Sequence, residues 1–326
     1  MATYKDIKGT SIEVVSSDPS NPQIGQIWYN TTSQSLKGEE FGTAAWATGV
    51  TLNNVPRTKA EGSGSQTEGL AVGGEVSGTK SNSTEEYNGT SWTAGGNLGT
   101  ARTAAAGFGL QTASILAGGR NPTPATVDIT EEYNGTAWTA GGTLPVGRSY
   151  FAGTGIETAG LVFGGYTPPG FTYTSSTDEY DGSTWTAGGN INTTKESPGG
   201  AGTQTAALAF GGYNPVGASL TETESYDGST WTVLGATMGT GTSNFASDGT
   251  STSAFAAGGN ASGSPTNIAQ LYDGTSWAAT ANMIASTNSN RGVGDSTSAL
   301  TFGGSPSSIT QEFTGGGPAT VTISGS

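Results

Sequence analysis

Acidic residues recur in this sequence in adjacent pairs, and their spacing is the first feature that could carry chemistry. The pairs precede aromatic residues, and two more segments carry one acid at the corresponding place: Glu39 with Glu40, Glu85 with Glu86, Glu131 with Glu132, Asp178 with Glu179, then Glu224 and Glu312. Two carboxylates held together can act as general acid and base. On a strand, however, neighbouring side chains point to opposite faces. We therefore predict a structural role, in which these acids cap turns or pair with Arg57, Arg102 and Arg148.

A calcium site and a glycan hydrolase are the alternative hypotheses for the acids. Carboxylate oxygens can bind Ca²⁺, but no loop places three of them at alternating positions. The turns at 181–185 and 227–231 read DGSTW and resemble the Asp box of sialidases, D-x-G-x-T-W, yet Asp181 lies one residue too close to Trp185. Glycosidases need two carboxylates at a set separation. The five arginines are also spread over separate segments, so a hydrolase is the less favoured hypothesis.

The sequence contains no cysteine and no histidine. This excludes disulfides, Ser-His-Asp and Cys-His catalysis, and metal sites that need nitrogen or sulfur ligands. Copper-radical propellers that resemble galactose oxidase are excluded for the same reason. We predict a non-enzymatic protein with no cofactor, no catalytic residues and no metal site.

The charge balance restricts the possible partners. Eleven Lys and Arg against 25 Asp and Glu give a formal net charge of −14, which repels the phosphate backbone of nucleic acids. No run of 18 apolar residues is present, and the start of the chain lacks a signal-peptide pattern. We expect no nucleic-acid partner, no membrane insertion and synthesis in the cytoplasm.

A repeat of about 46 residues organises the chain. Glycine pairs begin at 73, 118, 164, 211, 258 and 303. Tryptophans follow in step at Trp46, Trp92, Trp138, Trp185, Trp231 and Trp277, and an aromatic residue lies five positions before each of them. In five repeats an Asn-Gly or Asp-Gly turn joins the two aromatic positions, which is a strong β-hairpin signal.

Each repeat reads as four short strands, a to d. In the second glycine-paired repeat, strand a is represented by 101–109 and strand b by 113–119, strand c ends at 133 and strand d begins at 137. Strand b at 206–212 is apolar on both faces, as expected for a sheet covered on both sides. We therefore predict an all-β, kelch-like β-propeller of four-stranded blades, with a coiled solenoid as the competing architecture.

Both ends of the chain bear on the number of blades. Ile27 lies one repeat before Gly73, and 309–313 and 319–324 match strands c and d of a last unit. We predict one propeller over 1–326, with 1–50 as a degenerate first blade, 51–313 as six kelch-like units and 314–326 as the closing strand. This arrangement favours seven blades. The alternative is six blades, with the N-terminal segment as a virion anchor and a strand near Trp46 closing the ring.

The whole chain resembles the kelch-like repeat proteins of marine tailed bacteriophages, including those that infect cyanobacteria. The resemblance rests on the opening segment through IWYN at 27–30 and on units such as GAGTQTAALAFGGY and TESYDGSTWT. It implies a virion structural protein, as a tail-fibre, tail-associated or head-surface component, present in multiple copies or as a homo-oligomer. Other virion proteins would be its partners, and a host-attachment adhesin that binds surface polysaccharide is the alternative.

The b-to-c connections are the variable part of the repeat. They run over 75–84, 120–130, 166–177, 213–223, 260–269 and 305–310 and differ freely in sequence, whereas the d-to-a connections are nearly constant. Variation of this kind collects on a binding face. Candidate binding residues are the aromatics Tyr166, Phe171, Tyr173 and Tyr213, which could contact sugars or proteins or merely pack the loops. The d-to-a connections are expected on the opposite face.

Overall fold

The computed structural model describes residues 12–20, 26–41, 43–53, 57–123, 125–170, 172–306, 309–316 and 318–322. Those residues form β-strands, turns and loops with no helix, so the protein is all-β and β-propeller-like in its four-stranded antiparallel sheets. Within these ranges no helix is long and apolar enough to cross a membrane. By its internal contacts the chain divides into two units. One, the repeat unit, comprises 46–314, and the other, the terminal unit, comprises 1–45 and 315–326.

Six four-stranded sheets make up the repeat unit, and we number them 1 to 6 in chain order. Sheets 1 to 3 contain, from strand a to strand d, Glu61–Gly64, Gly69–Val72, Thr84–Tyr87 and Trp92–Ala94; Ala106–Leu110, Ala113–Ala117, Thr130–Tyr133 and Trp138–Ala140; Ala152–Ile156, Ala159–Phe163, Thr177–Tyr180 and Trp185–Ala187.

Sheets 4 to 6 repeat the pattern, except that the last strand of sheet 6 comes from the start of the chain. Their strands are Gly199–Thr203, Ala206–Phe210, Glu222–Tyr226 and Trp231–Thr237; Ala246–Thr250, Ser253–Ala257, Ala269–Tyr272 and Trp277–Ala279; Arg291–Gly294, Ser298–Phe302, Gln311–Thr314 and Ala45–Thr48. Three small sheets lie in the connections, formed by Arg57–Thr58 with Glu75–Val76 and Thr79–Lys80, by Tyr166–Thr167 with Thr172–Tyr173, and by Asn260–Ala261 with Ser264–Pro265.

Consecutive sheets are joined through their a strands, and the joins return to the first sheet. The a strands of neighbouring sheets contact each other, including those of sheets 6 and 1. At the start of each a strand one residue has a positive φ, and its amide donates to the carbonyl of its counterpart in the preceding sheet: Lys59, Ala104, Tyr150, Ser197, Asn244 and Ser289. Lys59 donates to Ser289, so these six hydrogen bonds form a closed cycle.

The glycine pairs form a second cycle of hydrogen bonds. The amide of Gly74 donates to the carbonyl of Arg102 in the next sheet at 2.8 Å, and the corresponding bond of sheet 6 runs from Gly304 back to Arg57 at 2.8 Å. Gly73 has a φ of +62°, and a Cβ added to it would lie 2.6 Å from the Arg102 oxygen. The pair is therefore required by backbone conformation and close packing, as its position at a strand end indicates.

The six tryptophans of the repeat, which we call the tryptophan ladder, pack between sheets. Trp92, Trp185 and Trp231 are buried, and the other three are partly exposed. Each indole reaches the preceding sheet, and most donate to a threonine hydroxyl at the start of its strand c: Trp92 to Thr310, Trp138 to Thr84, Trp185 to Thr130, Trp231 to Thr177 and Trp277 to Thr223. Sheet 5 has Ala269 at that place, and Trp46 donates instead to the carbonyl of Ala281 at 2.9 Å.

The d-to-a connections bury one long aliphatic side chain in each repeat. These are Leu52, Leu98, Leu144, Ile191, Met238 and Met283, each 2% exposed. In five sheets the backbone amide of this residue donates to a carbonyl of the b-to-c connection, as from Leu98 to Asn82 at 2.8 Å. This set supplies aliphatic core to a chain that has few aliphatic residues.

The terminal unit contains a separate four-stranded sheet. Its strands are, in order across the sheet, Glu13–Val15, Ile27–Asn30, Ser35–Phe41 and Pro318–Thr322. The first two run parallel, unlike any pair in sheets 1 to 6. Trp28 is fully buried and donates its indole hydrogen bond to Asp18 at 2.9 Å.

Two expectations for the chain ends differ from the structure. The C-terminal strand was expected as strand d of the last repeat, but Pro318–Thr322 pairs with Ser35–Phe41 in the terminal unit. The place expected for it is taken by Ala45–Thr48, whose Trp46 packs on Phe313 with ring centroids 5.0 Å apart. The strand at Ile27 likewise belongs to the terminal sheet and not to the six sheets of the repeat unit.

Candidate functional site

The recurrent acids divide into two roles according to the face of strand c on which they lie. The side chains of Glu39 and Glu40 lie outside the described residues. In sheets 1 to 3 the first acid of the pair, and in sheet 4 the single Glu224, meets the basic residue that precedes strand a of its own sheet. Buried ion pairs join Arg57 to Glu85, Arg102 to Glu131, Arg148 to Asp178 and Lys195 to Glu224. The predicted pairing with Arg57, Arg102 and Arg148 is therefore confirmed. Removing one member of a buried pair leaves the charge of the other uncompensated, so the loss of either member should strongly destabilise the fold.

The second acid accepts a hydrogen bond from a tyrosine of the next sheet. Tyr133 donates to Glu86 at 2.5 Å and Tyr226 to Glu179 at 2.5 Å, and Tyr180 and Tyr87 donate in the same way to Glu132 and Glu312. Burial and the adjacent carboxylate raise the pKa of Tyr133 to about 12. The adjacent acids thus point to opposite faces, as predicted, and none of these pairs forms an acid and base couple.

In sheets 5 and 6 both members of the ion pair are replaced by neutral residues. The positions of the basic residue hold Thr242 and Thr287, and the positions of the first acid hold Gln270 and Gln311. The Gln270 amide bonds to both the amide and the carbonyl of Thr240, and the Gln311 oxygen accepts from the amide of Ile284. In these two sheets a neutral glutamine therefore binds the d-to-a backbone. Glu131 does the same in sheet 2, where it accepts from the amide of Gly99.

Connections at the two ends of the strands define two faces of the repeat unit. The b-to-c and d-to-a connections form what we call the loop face, and the a-to-b and c-to-d turns form the turn face. The d-to-a connections were expected opposite the b-to-c loops, and that expectation is wrong. In an antiparallel sheet strand d ends where strand b ends, and the amide of Leu144 accordingly donates to Asp128 of the b-to-c connection at 2.8 Å.

Tyrosines cluster on the loop face at sheets 3 and 4. Tyr166 and Tyr173 pair across a short hairpin, and their rings meet edge to face at 4.6 Å. Tyr150 contacts Tyr166 edge to face at 6.0 Å. Tyr213, in the next sheet, exchanges backbone hydrogen bonds with Glu196. The structure thus brings Tyr166 and Tyr173 together and adds Tyr150, while Phe171 lies outside the described residues.

Glu196 connects this cluster to the adjacent sheet. Tyr166 hydrogen-bonds to both Tyr173 and Glu196, and burial together with these bonds raises the pKa of Tyr166. Burial also raises the pKa of Glu196, an effect that the bond from Tyr166 opposes. Tyr150, Tyr166, Tyr173, Tyr213 and Glu196 are all partly exposed. The rings therefore pack the loops together and still present surface to solvent.

The loop tips beyond the tyrosines are apolar and rich in proline. Val216 is 86% exposed at the tip of the sheet 4 loop, and Pro168 and Pro169 are exposed at the tip of the sheet 3 loop. Each b-to-c connection of sheets 2 to 6 contains at least one proline. Proline restricts the unbound conformations of a loop, so less ordering entropy is lost on contact.

The turn face carries acidic turns, and Leu110 and Ile156 are exposed there at the ends of two a strands. Its described turns carry Glu68, Glu157, Asp181, Asp227, Asp273 and Asp295, and none of those turns carries a Lys or Arg. Backbone amides and hydroxyls of Thr230 and Ser229 bond to Asp227 and lower its pKa to about 2. On the loop face Lys59 pairs with Glu75 at 3.2 Å, and Lys80 and Arg120 lie in neighbouring b-to-c loops.

Metal binding and similarity to known proteins add little to this site. Among the residues that the structure describes, no three Asp or Glu side chains group in a way that could hold a metal ion. No protein-family model matches the chain. No curated protein that was compared is similar to it.

Residue type gave no signal for Tyr150 and Glu196, which the sequence did not single out. Both follow the basic residue at the start of strand a, where the repeats hold unrelated side chains. Their neighbours in the fold come from another segment, the b-to-c loop. Only the antiparallel geometry of strands a and b places these two segments together.

Proposed function

We propose that this chain is a six-bladed, kelch-like β-propeller that serves as a non-enzymatic structural protein of a tailed-bacteriophage particle and binds through its loop face. The count of six is supported by the two cycles of hydrogen bonds, which include sheets 1 to 6 and close from sheet 6 to sheet 1. The separate terminal sheet with its parallel strands supports an anchoring segment over a seventh blade. The bacteriophage assignment rests on the resemblance of the repeats.

The observation that carries the binding proposal is the contrast between the two faces. The loop face holds the partly exposed tyrosines, the proline-rich tips and the exposed Val216, all on a frame fixed by backbone hydrogen bonds. Aromatic side chains and apolar tips at fixed positions are favourable anchors for a protein contact. The turn face is acidic and lacks such aromatics in its described turns.

We further propose that the protein takes a tail-fibre, tail-associated or head-surface position, with multiple copies in the particle and other virion proteins as partners. The terminal unit, 1–45 with 315–326, would then be the anchoring segment.

A polysaccharide-binding adhesin of the virion is the second candidate function. It is favoured by the tyrosine cluster, since ring faces at Tyr173 and Tyr213 can stack on sugars. A glycan hydrolase is less well supported, because most of the recurrent carboxylates are engaged in ion pairs or tyrosine hydrogen bonds.

Surface variants on the two faces test the proposal. Tyr173→Ser with Val216→Ser alters the loop face, and Leu110→Ser with Ile156→Ser alters exposed apolar residues at the turn-face end. We expect the first double variant to enter particles at least about tenfold less efficiently, a loss of ~1.4 kcal/mol in binding, and the second to enter normally. Equal incorporation of both, or a loss confined to the turn-face variant, would contradict the proposal.

Isolated protein separates the two candidate functions. A structural component should co-purify with particles at fixed stoichiometry and show no affinity for host polysaccharide on its own. An adhesin should bind that polysaccharide in isolation, and the loop-face variant should lose this binding.

A further inference from the structure

A cavity lies where the a strands of the six sheets converge. It has a volume of about 340 Å³, is open to solvent, and is lined by residues from all six a strands or the segments that lead into them. Small-molecule sites commonly measure ~300–1,000 Å³. The cavity is built from the repeat unit alone and is separate from the tyrosine cluster on the loop face.

The charges on the cavity wall do not balance. Its ionisable lining residues, among those described, are Glu61, Asp248, Arg291 and Asp295. The Arg291 guanidinium binds both oxygens of Glu61, at 2.7 Å and 3.2 Å, and this ion pair joins sheets 6 and 1. Two carboxylates, Asp248 and Asp295, therefore face the cavity with no lining cation left for them.

Asp248 is held in place by backbone amides. Its oxygens accept hydrogen bonds from Gly249 at 2.8 Å and from Gly294, in the neighbouring sheet, at 3.0 Å. Asp295 accepts at one oxygen from the amides of Thr297 and Ser298 in its own turn. Both aspartates are partly exposed, so a cation that enters the cavity can reach them and would be attracted by two negative charges.

The remainder of the wall indicates what kind of cation fits. Leu110 and Ile156 end their a strands beside the cavity, at the repeat position that Asp295 takes in sheet 6, and they are 59% and 52% exposed. Phe151 and Phe245 line it farther along. A metal ion would leave this apolar surface unused, and two carboxylates are fewer than calcium sites employ.

We propose that the cavity binds a small organic ammonium ion, with its charged end at Asp248 and Asp295 and its hydrocarbon part against Leu110 and Ile156. This inference does not depend on the function proposed for the loop face.

Protonation of Asp248 would be linked to this binding. Burial and the nearby Asp295 raise the pKa of Asp248 to about 7, against the opposing bonds from Gly249 and Gly294. The other charges on the wall act in the same direction. Burial raises the pKa of Glu61 to about 7 as well, against its bonds from Arg291, so Arg291 loses its counter-charge as the pH falls. Since an ammonium ion needs the ionised Asp248, about a tenth of the sites are competent at pH 6 and about nine tenths at pH 8. Binding should be at least about tenfold tighter at pH 8 than at pH 6.

Calorimetric titration of the full-length chain with n-butylammonium chloride tests the proposal, with n-butanol as the neutral probe of the same shape. At pH 8 and constant ionic strength, we expect n-butylammonium to bind at least about tenfold more tightly than n-butanol. Asp248→Asn should remove this preference, and Asp295→Asn should weaken it. Asp273→Asn is the matched control, because Asp273 lies in an outer turn and Asn88 and Asn134 take its place in other sheets.

Three outcomes would overturn the inference. Equal affinity for n-butanol would show that the charge is not recognised. Equal binding by the Asp248→Asn and Asp273→Asn variants, both folded by near-ultraviolet circular dichroism, would place the cation elsewhere. Displacement of n-butylammonium by sodium at the same concentration would leave the apolar wall without a role.

Discussion

The backbone amide of Lys59 donates a hydrogen bond to the carbonyl of Ser289 at 3.0 Å, and this contact joins the first and sixth sheets of the repeat unit. Five equivalent bonds link the sheets between them, each from a residue with positive φ. In the proposed propeller, this cycle of backbone hydrogen bonds would keep the loop connections in fixed relation, whatever their sequences are. The proposed function depends on this property.

Truncation of both chain ends tests which segments the repeat unit needs. A chain of residues 44–314 keeps the strand Ala45–Thr48 and should unfold cooperatively as a soluble monomer. A chain of residues 49–314 loses Trp46 and its contact with Phe313 and leaves strand c of sheet 6 as an open edge. We expect the second chain to aggregate or unfold in gel filtration and circular dichroism. Failure of the longer chain to fold would show that the terminal unit is part of the ring.

Loss of a ladder tryptophan should be severely destabilising. Trp185→Ala removes a buried ring that stacks on Tyr180 at 4.7 Å and a hydrogen bond to Thr130. We expect a loss of ~3–5 kcal/mol in the free energy of unfolding. Thr130→Val is the control that removes the hydroxyl acceptor alone and should cost ~1 kcal/mol. Denaturant titration measures both, and a Trp185→Ala loss below ~1 kcal/mol would contradict the core role.

The neutral Thr and Gln residues of sheets 5 and 6 predict how stability changes when both members of a buried ion pair are substituted. Arg102→Thr alone leaves Glu131 uncompensated and should cost ~3–5 kcal/mol. Adding Glu131→Gln recreates the threonine and glutamine combination of sheet 5 and should recover more than half of that loss. Denaturant titration of the two single variants and the double variant gives the coupling energy. Additive losses would show that the pair and its neutral replacement are not equivalent.

Asp248 should make the protein less stable as the pH rises. Its folded pKa of about 7 lies above the ordinary value of 3.8, so between these values the folded state binds the proton more tightly. Stability from this group is full below pH 3.8 and is lost as the pH rises to about 7. Asp248→Asn should therefore gain ~1–2 kcal/mol at pH 8 and little at pH 4, after allowance for solvent screening. An equal effect of the variant at both pH values in thermal unfolding would contradict the assignment.

The repeat made most of the fold predictable. Prediction failed at positions that share a backbone conformation or burial but no side-chain property. Trp185, the glycine pairs and the pairing of Arg102 with an acid follow from spacing and strand alternation. The positive-φ residues do not, because Lys59, Ala104 and Tyr150 share a backbone conformation and no side-chain property. Burial of Leu98 was also missed, since single aliphatic residues in connections carry no periodic signal.

The candidate site was predicted in part. Tyr166 and Tyr173 lie together because their loop forms a hairpin, which the variable lengths of the loops alone did not indicate. The d-to-a connections were assigned to the wrong face, because loop lengths do not give strand direction, and it is strand direction that places the ends of strands b and d together. The C-terminal strand was misplaced because its alternating pattern fits any sheet edge, whereas Trp46 specifies the edge of sheet 6.

Electron cryo-microscopy of purified particles, with the protein located and its copies counted, would show whether the loop face is the contact surface. We expect a fixed number of copies per particle, each with the loop tips around Tyr173 and Val216 against another virion protein or, for an adhesin, directed outward to the host. Particles that lack the protein, or that contact it through the acidic turn face and leave the loop face unused, would show that the proposed function is wrong.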